Sequence, residues 1–111
     1  MSIIHERPLA CDLGALDDEV RTGHLELAAQ LMHEHAAEVR ELPDGYAFRF
    51  AAAQYDEVAH FVANERLCCP FFAFALEVAP AQGPIWLRVT GGEGVKEFLR
   101  AELVHEHSGR A

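Results

Sequence analysis

The segment 56–72 constrains the fold most, because a helical pattern in it meets a proline. Its apolar residues recur with helical spacing, and Val58 and Phe61 share one stripe of the helix that this spacing predicts. Pro70 cannot donate a backbone hydrogen bond, and it disfavours helical geometry in the residue before it. The helix is therefore expected to end at about Cys69, and a strand to follow.

Two pairs of alternating segments predict two β-hairpins. The first pair, 39–42 and 46–50, is joined by Pro43-Asp44-Gly45, where proline fixes φ and glycine is expected to supply a left-handed turn residue. The second pair, 72–78 and 85–89, is separated by a loop that begins and ends with proline. Hairpins imply antiparallel pairing, so one antiparallel sheet is expected.

Helices are predicted before, between and after these hairpins. A first helix over 17–38 carries Val20, Leu27 and Leu31 on its apolar stripe, and a last helix follows the glycine-rich segment 91–94. This order predicts an α+β fold: a helix followed by two hairpin-helix units, with a four-stranded antiparallel sheet and helices packed on it. The second face of the sheet needs a cover, from the first helix or from a second copy in a homodimer.

Composition narrows the class of protein. The 111 residues are expected to form a single domain, 1–111, with an extended arm over 1–12 and a frayed tail over 104–111. The formal charge of −9 argues against nucleic acid and against anionic membrane surfaces. The N-terminus has acid and proline where a signal peptide needs an apolar core, and no segment is long enough to span a bilayer. Three cysteines without CxxC spacing or a secretory framework favour a reducing, cytoplasmic setting.

Glu65 is the residue that packing does not explain. At about 100° per residue it lies on the predicted buried stripe, one turn before Cys69, and Cys68 flanks the same face. A carboxylate aimed at the core is costly unless it is paired, protonated or bound to a metal. A metal or metalloid dithiol site is therefore favoured over the alternative, in which the two cysteines simply fill a crowded corner.

The helix end also bears on the chemistry of the two thiols. Both lie at a helix C-terminus, where the dipole opposes thiolate formation, and a bound cation would remove that penalty. A disulfide between Cys68 and Cys69 is disfavoured, because adjacent Cα atoms are only about 3.8 Å apart.

Further candidate ligands are few. His24 lies near the apolar stripe of the first helix and His35 at its edge, and the ordinary role for both is a boundary histidine that donates to a neighbouring carbonyl. His60 falls on the opposite side of its helix from Glu65 and is not recruited as a ligand. Zinc would need a fourth ligand, for which Glu65 or His35 is a candidate. Cys11 matters only if the fold brings it to the cysteine pair.

The segment Glu-Arg-Leu-Cys-Cys-Pro-Phe-Phe at 65–72, read with Ala-Cys at 10–11 and the Pro-Asp-Gly turn, resembles a known signature. It is similar to a family of small, largely uncharacterised bacterial proteins with a Glu-x-x-Cys-Cys-Pro-Phe motif, linked to heavy-metal resistance. The resemblance implies a thiol-based metal role for Cys11, Cys68 and Cys69, with Glu65 as a supporting carboxylate. It implies no enzyme activity.

Two functions follow. The favoured one is cytoplasmic binding of a soft ion such as zinc, copper(I), mercury or arsenite, because soft thiolates select thiophilic species. The alternative is a small thiol enzyme or small-ligand-binding protein, in which Glu65 acts as acid or base beside Cys69 in a pocket lined by Phe61, Phe71 and Phe72. The helix-end dipole argues against catalysis. A pure interaction module with a structural cysteine pair is a third reading.

Overall fold

The structure is a computed structural model, and it describes residues 11–104. Most of the arm predicted over 1–12, and nearly all of the tail predicted over 104–111, lie outside the described residues.

In residues 11–104, three helices and four strands follow one another in the predicted order, and the α+β prediction is confirmed. The helices are α1 (Asp18–Gln30), which continues as a π-helical turn over Leu31–His35, α2 (Tyr55–Cys68), and α3 (Val95–Leu99), which continues as a π-helical turn over Arg100–Val104. The strands are β1 (Glu38–Leu42), β2 (Gly45–Phe50), β3 (Ala73–Val78) and β4 (Ile85–Thr90). Short 3₁₀ turns at Leu13–Ala15 and Ala52–Gln54 lead into α1 and α2. The first helix is shorter than predicted, because Glu38 already begins β1.

The strands form one four-stranded sheet in the order β1-β2-β4-β3, with every neighbouring pair antiparallel. The register aligns Val39 with Phe48, Phe48 with Leu87, and Leu87 with Leu76. Alternate residues of a strand point to opposite faces, so this row lies on one face of the sheet. That inner face forms one hydrophobic core with the helices, which contribute Leu31, Val58, Phe61, Val95 and Leu99.

The outer face of the sheet is polar. Glu38 pairs with Arg40 at 2.7 Å and with Arg49 at 3.1 Å, and the Arg40 guanidinium lies 4.6 Å from the centre of the Trp86 ring. An antiparallel sheet can face water on one side. This face therefore needs no apolar cover, and the homodimer stays a prediction.

Gly45 differs from its predicted role. Its φ is not positive, so it supplies no left-handed turn residue. A Cβ at this position would overlap the carbonyl oxygen of Val89 and come within 2.8 Å of Thr90 Cα. The glycine is needed because β4 passes too close for any side chain.

Candidate metal centre

The site lies where the N-terminal arm meets the C-terminal end of α2. Cys68 is the last helical residue, as Pro70 predicted, and the backbone N–H of Cys69 donates to the carbonyl of Glu65 at 2.8 Å. The backbone N–H of Asp12 donates to the carbonyl of Cys68 at 2.6 Å, which satisfies a carbonyl that the helix leaves without a partner. This bond holds the arm, and with it Cys11, against the helix end.

A disulfide joins Cys11 to Cys69 across a sequence separation of 58, with the Cα atoms 4.5 Å apart. Cys68 is a buried free thiol, and its Sγ lies 3.7 Å from Cys69 Sγ. The prediction that Cys68 and Cys69 do not bond to each other is confirmed. The sequence left open whether Cys11 reaches the pair, and the fold brings it within bonding distance of Cys69.

Glu65 points inward and is paired. Its Oε1 lies 2.6 Å from Nε2 of His24, and the two side chains are only 9% and 2% exposed. We assign the ring proton to Nε2, because a carboxylate oxygen can only accept it. The imidazole also stacks on Phe61, with ring centres 5.5 Å apart.

His24 is the functional residue that sequence reasoning missed. The pattern predicts a boundary residue, yet His24 is the buried residue of α1, whereas Val20 of the predicted apolar stripe is 41% exposed. The missed signal was the combination of a histidine near the stripe of one helix and an unexplained carboxylate on the next. Nδ1 of His24 is buried and has no hydrogen-bond partner in the part of the chain that the structure describes. Such an atom is uncommon in a native interior, and it leaves Nδ1 with a free lone pair when the ring proton is on Nε2.

The Cys68 thiol is held in its protonated form. Burial raises its pKa to about 11, and the negative charge of Glu65 adds to the effect, with a smaller contribution from Asp12. The Glu65 Oε1 atom lies 4.0 Å from the sulfur. A neutral buried thiol is a poor nucleophile, but a coordinated cation would reverse the electrostatic balance.

Within residues 11–104, two groups of side chains could hold a metal ion, and Glu65 belongs to both. One group is Cys11, Glu65 and Cys69, and the other is His24, Glu65 and Cys68; within each, the ligand atoms lie within 4.8 Å of one another. His35 belongs to neither group. His60 is exposed, and its Nε2 lies 3.3 Å from Asn64 Nδ2, in keeping with its predicted outward position.

A cavity of about 250 Å³ opens beside these groups. Its walls include all five residues of the two groups, together with Leu13, Leu25, Ala28, Ala29, Met32, His33, Phe72, Phe98, Glu102 and Leu103. Of the three aromatic residues predicted to line a pocket, only Phe72 does so. Phe61 lies behind His24, and Phe71 packs edge-on against Phe72 and Phe98 at 4.9 and 5.4 Å between ring centres.

Comparisons with protein families, curated proteins and solved structures found no match to this chain. Among the described residues, no helix has the length and apolar character needed to cross a membrane. The function is therefore argued from the site itself.

Proposed function

We propose that the reduced chain binds one thiophilic metal or metalloid ion between Cys68 and Cys69, with Cys11 as a third sulfur. Glu65 and His24 complete the site, Glu65 as a ligand or as the partner that orients the imidazole. We place the protein in a reducing compartment as part of this proposal. Membership of the Glu-x-x-Cys-Cys-Pro-Phe family, with its link to heavy metals, also belongs to the proposal.

The distance between the Cys68 and Cys69 sulfurs is the observation that carries it. At 3.7 Å the separation is far longer than a disulfide bond of about 2.05 Å. One ion with bonds of about 2.3 Å to each sulfur would span that gap at an angle of about 107°, close to tetrahedral. This separation therefore allows one ion to bind both sulfurs.

The surroundings support a cation. The carboxylate of Glu65 opposes ionisation of the buried Cys68 thiol. A bound positive ion would offset the negative charge of both groups. A buried histidine that donates one ring N–H to a carboxylate is a frequent arrangement around protein metal ions. His24 and Glu65 have this arrangement 2.6 Å apart.

Binding through all three sulfurs requires the disulfide to be open. Two electrons and two protons from a thiol reductant convert the Cys11–Cys69 bond into two thiols. The arm stays beside the helix end through its backbone bond from Asp12 to Cys68. Cys11 is thus kept within reach of an ion that bridges the other two sulfurs.

The alternative of a thiol enzyme is less well supported. The pKa of Cys68 is raised to about 11, which is opposite to the shift that activates a cysteine nucleophile.

Native mass spectrometry tests the proposal. The reduced protein, freed of reductant, is mixed separately with zinc, copper(I), arsenite and mercury(II), and a one-to-one species is expected for at least one of them. Cys68→Ser and Cys69→Ser should remove it, whereas His60→Ala, a change on the far side of α2, should not. The proposal is abandoned if no ion gives a stoichiometric species, or if Cys68→Ser binds as tightly as the parent.

A further inference from the structure

The cavity beside the sulfurs is much larger than a bare ion needs. A single water molecule occupies about 30 Å³ of liquid, and a thiophilic ion is of comparable size. The cavity measures about 250 Å³, so most of it would stay unfilled by the ion alone. A cavity of about 150 Å³ with apolar walls is already large enough to hold benzene.

Most of the cavity lining is apolar, and its polar members are His24, His33, Glu65 and Glu102. Ala28 and Met32 come from the helix that starts with α1, Phe72 follows the proline turn, and Phe98 comes from α3. The rings of Phe72 and Phe98 lie 5.9 Å apart, and each also contacts Phe71, so the aromatic wall is fixed before any ligand enters. Water gains little free energy by entering such a space, whereas a hydrocarbon group gains free energy by leaving the solvent for it.

We propose that the cargo is a trivalent arsenic atom that carries one aryl group. The arsenic would bind the two sulfurs of Cys68 and Cys69, and the organic group would occupy the apolar cavity. This inference rests on the proposed function and narrows it, because the carbon substituent takes the third position on arsenic, so Cys68 and Cys69 are the ligands and Cys11 stays a thiol.

The chemistry balances without an oxidant once the disulfide has been reduced. An organoarsenic species RAs(OH)₂ reacts with two thiols, two As–S bonds form, two As–O bonds break, and two water molecules leave with the thiol protons. The carbon–arsenic bond stays intact. The adduct carries no net charge, which suits two residues, Cys68 and Cys69, that are each 1% exposed.

The charged residues that line the cavity favour a neutral organoarsenic cargo over a negatively charged thiol compound. Glu65 and Glu102 both line it, and the chain carries a formal charge of −9. Two histidines, His24 and His33, also line the cavity, but its two carboxylates still disfavour a carboxylate-bearing thiol, whereas a neutral organoarsenic group meets no repulsion.

The test compares three probes on the reduced full chain: arsenite, methylarsonous acid and phenylarsine oxide. The phenyl and methyl compounds use the same two sulfurs and differ in the group offered to the cavity, so phenyl should bind at least tenfold more tightly. Ala28→Leu, which narrows the cavity, should weaken phenyl binding at least tenfold and change arsenite binding less than twofold. Ala75→Leu, on the exposed outer face of β3, is the matched control and should change neither.

Methyl NMR of the parent protein gives a reading that does not depend on any variant. The Met32 and Ala28 methyl signals should shift under the ring current of a bound phenyl group, and much less with the methyl compound. If arsenite binds but phenyl binds no more tightly than methyl, or if those methyl signals do not move, the inference fails and the proposed function stands. If none of the three probes binds and the other thiophilic ions also fail, both are overturned.

Discussion

Cys68 illustrates at the scale of one residue how burial and a neighbouring charge decide reactivity. Its pKa is raised to about 11, first by burial and then by Glu65. In the disulfide form, alkylation by iodoacetamide should be slow at pH 8 and should accelerate about tenfold per pH unit until about pH 11. Glu65→Gln removes the negative charge and should move this rise to lower pH. A rate that levels off near pH 8 in the parent would contradict the account.

The same residue makes stability depend on pH. The folded pKa of about 11 lies above the ordinary value of 9.0. The protonated Cys68 thiol thus contributes its full stabilisation of the fold below pH 9. This stabilisation is lost as pH rises towards 11, because the thiol ionises at a lower pH in the unfolded chain than in the folded one. Urea titrations of the oxidised protein between pH 8 and 11 should show a falling midpoint, and Cys68→Ala should flatten that fall.

The pair of His24 and Glu65 should behave as a unit. His24→Leu leaves a buried carboxylate without its partner and should cost about 3 kcal/mol, whereas the double change His24→Leu/Glu65→Leu removes both polar groups and should cost clearly less than the sum of the single changes. Urea unfolding followed by circular dichroism measures all four proteins. Additive losses would show that the 2.6 Å contact contributes nothing.

The buried side of α2 could be predicted because helical geometry is local. Glu65 and Cys68 are placed by their spacing from Val58 and by Pro70. The partner of Glu65 could not be placed in the same way, because it lies on another helix and depends on how α1 crosses α2. Cys11 was undetermined for the same reason: spacing excludes bonding between adjacent cysteines but says nothing about a residue 58 positions away.

At the scale of elements, each strand begins and ends within one residue of its predicted bounds, because alternation and turn residues are both local signals. The apolar stripe of α1 was less well predicted. Val20 is exposed, while His24 takes the buried position beside Phe61. A hydrophobic pattern identifies the helix. Which polar residue can be buried depends on its partner on another element, as His24 depends on Glu65.

Two glycines with opposite surroundings test the packing of these elements. Gly23 lies in α1, and a Cβ added to it would have nothing within 4 Å, so Gly23→Ala should stabilise the protein by about 1 kcal/mol. Gly45→Ala would push a methyl group into the backbone of β4 and should destabilise the protein by more than Gly23→Ala stabilises it. Thermal unfolding of the two variants beside the parent measures both effects. A stabilising Gly45→Ala would contradict the strand register.

At the scale of the whole molecule, the Cys11–Cys69 disulfide and a bridging ion are alternative ways to tie the arm to the domain. The bond closes a loop across a sequence separation of 58, which in the chain-entropy view stabilises the fold by about 4 kcal/mol. Reduction should therefore lower the urea midpoint markedly. Cys11→Ser should show the lowered midpoint in both redox conditions.

An ion bound to the reduced fold should return part of that stability. A ligand present at 100 times its dissociation constant stabilises the state that binds it by about 2.7 kcal/mol. Adding the ion that forms the one-to-one species should raise the urea midpoint of the reduced parent, and should leave Cys68→Ser and the oxidised parent nearly unchanged. An equal rise in the oxidised protein would mean that the ion does not need the Cys69 sulfur, because that sulfur is available only after the disulfide opens.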